Sequence, residues 1–135
     1  MSATDKVADA LRARGVSERV LAGGLAGLVA SWERFAHELE RGYGAGLDEW
    51  RNDVDVRDIL DEALRAASGD ERRALARRVR LADARVRKLL VPAGHCVWGA
   101  KNAAKHGWNA GRQWWYFLEP KTKNAELARE LAALE

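Results

Sequence analysis

Cys96 follows His95 directly and His106 lies ten residues further on, so one short stretch holds the chain's only thiol and two of its three imidazoles. A thiol between imidazoles can ligate a soft metal or act as an activated nucleophile. Structural zinc, however, takes four ligands arranged as Cys-x-x-Cys or His-x₃₋₅-His pairs. Neither spacing occurs, and His37 lies far from the other two. A nucleophilic cysteine needs a base at hand and an electropositive setting. His106 with Lys101 or Lys105 supplies that composition without a motif. Cys96 beside Val97 and Trp98 reads better as a small buried side chain, and neither a metal nor a cofactor is expected.

The carboxylates Asp48, Glu49, Asp53, Asp55, Asp58, Asp61 and Glu62, with Asn52 among them, suggest calcium. A calcium loop places oxygen ligands at positions 1, 3 and 5, glycine at 6 and glutamate at 12. Counted from Asp53, those last three positions hold Arg57, Asp58 and Leu64. The acidic run therefore reads as helix capping and solvated charge, with a divalent-metal site or an acidic partner-docking face as the other readings. The chain also lacks a phosphate-binding glycine loop, a Gly-x-Ser-x-Gly elbow, a His-Glu-x-x-His pair and a dinucleotide fingerprint. Nothing in it supports an enzyme.

Recognition chemistry is better represented. Six of the ten aromatic residues fall between Trp98 and Phe117, interleaved with Lys101, Lys105 and Arg112 and followed by Lys121 and Lys123. Trp, Tyr and Arg are the residues that anchor protein interfaces. Aromatic platforms with cations between them also bind single-stranded nucleic acid. A third use is structural, with large rings plugging one end of a helical bundle. Adjacent Trp114 and Trp115 cannot face the same way on a regular element, so at least one should be partly exposed or meet a second surface. Trp108, Arg112, Trp114, Trp115 and Tyr116 are the expected contact anchors.

Charge is unevenly distributed. Residues 1–69 carry nine Lys/Arg against thirteen Asp/Glu, and residues 70–129 carry fourteen against five. Much of the excess sits in Arg72, Arg73, Arg77, Arg78, Arg80, Arg85, Arg87 and Lys88, offset locally by Asp70, Glu71 and Asp83 alone. Such a face is a solvated helix surface or a phosphate-binding one with salt-dependent affinity.

The elements that must carry these groups are helical. Ala, Leu, Arg and Glu dominate while Ile and Thr are scarce. A first helix capped by Thr4 or Asp5 should stop at Gly15. Ser17 then caps a second helix reaching Arg41, whose Leu21, Leu25, Leu28, Trp32, Phe35 and Leu39 form one seam. Gly23, Gly24 and Gly27 within it read as places where another backbone packs close, with a hinge or a ligand-facing surface as the alternative. Asp55 should cap a third helix ending at Ser68-Gly69, after an acidic connector over 47–55. A fourth runs over about 70–90, with Leu75, Val79, Ala82, Val86 and Leu89 as its stripe. The segment from His95 to Pro120 is irregular, with a short helix over 101–106 and room for a β-ribbon joining Val97-Trp98 to 114–118. Asn124 caps a last helix bearing Leu127, Leu131 and Leu134.

These features describe a single, mainly α domain over residues 1–135: an irregular bundle of four or five helices with a Trp-rich, Gly-punctuated segment before the last. The helices over 17–41 and 70–90 should pack together, the third covering them. A lone cysteine, no leader-like amino terminus and no apolar run of about 20 residues point to a soluble cytoplasmic protein. The expected function is non-enzymatic binding of a macromolecule, most plausibly a protein, as in adaptors, immunity proteins and antitoxins of similar size. Nucleic-acid binding through the fourth helix and the Trp/Lys segment is the alternative, and a metal- or Cys-dependent enzyme at His95, Cys96 and His106 the third. Monomer and homodimer are equally open.

Overall fold

Ser17 stops one helix from running into the next. Its Oγ accepts the Val20 N–H at 3.3 Å, satisfying a donor that the first turn of the following helix leaves free. In a computed structural model of the chain, which describes residues 3–134 and side chains from Lys6 onward, the elements run in this order. Helices α1 (Ala3–Arg14), α2 (Glu18–Arg41), α3 (Leu47–Ala66) and α4 (Gly69–Lys88) lead into strand β1 (Leu90–Pro92). Then come α5 (Ala100–His106), a 3-10 turn at Trp114–Tyr116, strand β2 (Leu118–Pro120) and α6 (Ala125–Ala132). The mainly α bundle with a short ribbon is therefore the architecture of the chain. The cap expected at Thr4 or Asp5 falls on side chains outside those described.

The seam of α2 forms the middle of the core. Leu25, Leu28, Trp32, Phe35 and Leu39 are buried against Leu75, Val79, Ala82 and Val86 of α4 and against Trp50, Val54, Leu60 and Ala63 of α3. Two ion pairs lace α2 to α4, Glu33 with Arg78 and Glu40 with Arg85, each across 45 residues. The equal offset means that α2 and α4 run parallel, with α3 as the return stroke between them. A row of rings continues the packing: Trp32 on Phe35 at 5.0 Å, Phe35 on Trp50 at 5.5 Å and Trp50 on Tyr43 at 5.0 Å.

One polar cluster lies inside this core. Asp83 of α4 points inward, where Arg57 of α3 binds it through Nε and Nη2, both at 3.0 Å. The Trp32 indole N–H of α2 donates to the same carboxylate at 2.8 Å. The Arg57 guanidinium also lies 4.6 Å above the Trp115 ring. A bidentate Arg–carboxylate pair is strong in this dry setting because each partner neutralises the other.

Three local expectations need correction. Helix α3 begins at Leu47, not Asp55, because Leu47, Trp50 and Val54 recur on one face and all are buried. Its first turn is capped from a distance: Glu130 of α6 accepts the Leu47 N–H at 3.2 Å, and the Asn124 side chain donates to the Ala45 carbonyl at 3.1 Å. Gly46 leaves room for that carboxylate, since a Cβ there would lie 2.8 Å from Glu130 Oε1. The ribbon pairs Leu90–Pro92 with Leu118–Pro120 antiparallel, so Val97 and Trp98 lie outside it. Apolar Leu90 and Val91 leave α4 already positioned to pair. Finally, no backbone packs close at Gly23, Gly24 or Gly27, where an added Cβ would meet nothing within 4 Å. Gly24 instead adopts φ 60, ψ −157 and kinks α2. Among the described residues no helix is long and apolar enough to cross a membrane.

The glycines can be told apart by experiment. Gly24→Ala forces a side chain into a backbone region open essentially to glycine alone, and should destabilise by about 1–3 kcal/mol. Gly27→Ala, in regular helix with open space around it, should be neutral or stabilise by up to about 1 kcal/mol. Urea unfolding of the two variants should give opposite signs; equal effects would contradict a kink at Gly24.

Candidate functional site

Asp55, Asp58 and Glu62 recur at i, i+3 and i+7 along α3 and so share one helix face. Arg14 ends α1 immediately before the Gly15 turn, and its guanidinium reaches all three. It donates to Asp55 at 3.1 Å, to Asp58 at 2.9 Å and to Glu62 at 2.6 Å. Burial alone would lower the pKa of Arg14, but the three carboxylates outweigh it and hold the cation firmly charged. Asp58 is the deepest of the three. Burial pushes its carboxyl above the ordinary range, and the nearby Arg14 charge offsets that only in part. Tyr116 completes the floor by donating its O–H to Asp55 at 2.5 Å.

The walls come from the Gly-punctuated segment. Trp98 precedes α5 and Trp108 follows it, and together with Asn102 and His106 they enclose a cleft of about 580 Å³ over the carboxylates. The segment holds its shape through local bonds: the Asn102 amide donates to the Trp98 carbonyl at 2.8 Å, and the Trp108 N–H to the Ala103 carbonyl at 2.9 Å. Trp108 lies between two rings, Tyr116 at 4.3 Å and His106 at 4.6 Å. Arg51 braces Trp98, with its guanidinium 5.2 Å from the ring centroid and Nε donating to the Val97 carbonyl at 2.7 Å.

The cleft thus combines two indoles with three carboxylates that face one guanidinium. Its volume falls within the usual range for ligand sites. Carboxylates attract a cation, and ring faces attract one as well. The arrangement suits a basic group carried on an apolar stem.

The five expected anchors do not form one surface. Trp108 lines the cleft, whereas Arg112 is exposed on the turn over 109–113, its N–H held by Asn109 at 2.9 Å. Trp114 is half-buried, with the Arg87 guanidinium at 4.6 Å and Trp32 edge-on at 6.4 Å. Trp115 is 2% exposed and Tyr116 0%, so both are core residues rather than contacts. The 3-10 turn sends successive side chains in different directions, which takes Trp115 inward onto Arg57 and Tyr116 under the cleft.

His95, Cys96 and His106 are not gathered into a site. Cys96 is buried and its thiol is pushed up, chiefly by that burial. The His106 ring lies against Trp108, and among the described residues no group of three or more His, Cys, Asp or Glu is placed to hold a metal. Sequence reasoning did not single out Arg14 or Trp98 as site residues, and it named Asp55, Asp58 and Glu62 only within the longer acidic run. The i, i+3, i+7 acidic face was a signal, but its partner cation lies 41 to 48 residues away.

The raised carboxyl of Asp58 has a pH consequence. Between the ordinary Asp value of about 3.9 and its raised folded value, the native state holds more protons than the unfolded chain. Stability contributed by Asp58 is therefore greatest at low pH and falls as pH rises through that window. Asp58→Asn should remove this slope, so wild type should lose ground to the variant as pH climbs from about 3.5 to 6.5. Urea midpoints measured across that range test it, and a difference that stays constant with pH would refute the assignment.

No family model, no curated protein and no solved structure matches this chain.

Proposed function

We propose that this chain is a small non-enzymatic binding protein that engages a protein partner by one of the partner's basic side chains, held in the cleft between α1, α3 and α5. The supporting observation is the pairing of Trp98 and Trp108 with Asp55, Asp58 and Glu62 around one concave space. A lysine or arginine entering there would meet carboxylate acceptors on Asp55 and Glu62, each about one-third exposed at its side chain. Its methylenes would lie along indole faces. In this reading the Trp-rich segment acts through Trp98 and Trp108.

Two features favour binding over catalysis. The carboxylates already accept from Arg14, and the Cys96 thiol is held in its neutral form by burial. A single, buried cysteine also suits a reducing compartment, and we place the protein in the cytoplasm.

The test is affinity capture from nuclease-treated host lysate, with Trp108→Ala and Glu62→Gln run beside wild type. Both variants should weaken partner binding about 30-fold or more, the effect of losing a hot-spot contact of about 2 kcal/mol. Their melting temperatures should stay within a few degrees of wild type. A partner retained undiminished by both folded variants would rule the cleft out.

A further inference from the structure

The outer face of α4 shares no residue with the cleft and does not depend on the reading above. We propose that it is a second binding site, one that docks the phosphate backbone of duplex nucleic acid without regard to sequence.

The structure sorts the eight cations of α4. Arg78 and Arg85 are engaged by Glu33 and Glu40 of α2, and Arg73 pairs with Asp70 in its own first turn. Arg72, Arg77, Arg80, Arg87 and Lys88 form no ion pair among the described residues. The one acid of α4 beyond its first turn, Asp83, faces inward to Arg57 and Trp32. The charge that would have neutralised this helix is thus withdrawn into the core.

Four of these five free cations, Arg77, Arg80, Arg87 and Lys88, are also aligned, with Arg72 off to one side. At 100° per residue they fall within an arc of about 100° centred opposite the buried Leu75, Val79, Ala82 and Val86. From Arg77 to Lys88 they extend over about 16 Å, the length of about five base-pair steps. The row ends at Lys88, next to the start of the ribbon at Leu90. At the same end the Arg87 guanidinium is stacked on half-buried Trp114 at 4.6 Å, which pre-orients it.

Chemistry selects the occupant. A membrane-surface helix needs an apolar face to sink into lipid, but the apolar face of α4 is already buried in the core. Leu81, 61% exposed, is the single large apolar side chain left outside among the described residues. Seven of the eight cations are arginine, whose planar fork matches phosphate oxygens. Because α2 packs along α4, the helix meets a duplex from outside and touches phosphates rather than base edges, giving affinity without sequence choice.

The experiment is fluorescence anisotropy of a labelled 20-base-pair DNA of arbitrary sequence, titrated with the full chain at 50 to 200 mM KCl. Four neutralised phosphates give a log–log slope of about −3.6, so affinity should fall more than a hundredfold over that range. The double variant Arg77→Gln/Arg80→Gln alters exposed, unpaired side chains, so its melting temperature should match wild type. Its slope should be shallower by about 2. Duplex RNA competing as well as DNA would support backbone recognition. The proposal is overturned by no binding at 50 mM salt, or by an unchanged slope in the folded double variant. Equal or stronger capture by polyglutamate or by phosphatidylglycerol vesicles would also overturn it, in favour of an acidic protein or a lipid surface.

Discussion

The ion pair between Arg57 and Asp83 is the contact on which the other elements depend. It joins α3 to α4, takes in α2 through the Trp32 indole, and holds Trp115 of the 3-10 turn beneath the guanidinium. Two charges at this depth are tolerated only with their partners in place. Removing Asp83 would leave Arg57 with only Asp61, 4.0 Å away, and removing Arg57 would leave Asp83 without a cation among the described residues; breaking a buried pair costs about 3–5 kcal/mol. The pair therefore constrains geometry more than apolar packing could. Leucines slide over one another at little penalty, whereas a bidentate fork accepts one register between α3 and α4.

That constraint shapes both surfaces of functional interest. With α3 locked, Asp55, Asp58 and Glu62 face Arg14, while Tyr116, one residue after Trp115, arrives under the same carboxylates. On the far side, Asp83 turned inward leaves the outer face of α4 without an internal counter-charge. The acidic excess of the first half and the basic excess of the second are not simply pressed together in the fold. Glu33 and Glu40 neutralise two arginines of α4, and the remaining cations stay exposed. Electrostatic asymmetry in the sequence becomes two separate regions of opposite character.

Much of the helical frame was legible. The Ser17 cap, the six-residue seam of α2 and the stripe of α4 rest on near-neighbour spacing, and the packing of α2 on α4 follows the matching of their apolar faces, though not its parallel direction. The stretch from Leu47 to Asp55 was not legible as helix, because its polar and acidic residues dilute the Leu47, Trp50, Val54 face and no local residue caps it. Its cap is Glu130, 83 residues later in the chain. The glycines of α2 were legible only in part, for a related reason. Composition suggests a close approach of two backbones, yet Gly24 is required by a kink whose dihedral angles leave no mark in the residues around it.

The sequence by itself determined the mainly α class, the boundaries of α2 and the start of α4, the identity of most core positions on them and the concentration of aromatic residues after Gly94. Each depends on periodicity or composition within about one helix, where the backbone repeat converts spacing directly into facing. Only the tertiary structure decided which charged side chains meet. Arg14 with the α3 carboxylates, Arg57 with Asp83 and Glu130 with the start of α3 are contacts across 26 to 83 residues. It also decided that Trp115 and Tyr116 point inward while Trp98 and Trp108 line an open cleft. Charge pairing and ring orientation depend on distances in space, and those distances exist only once the helices have packed.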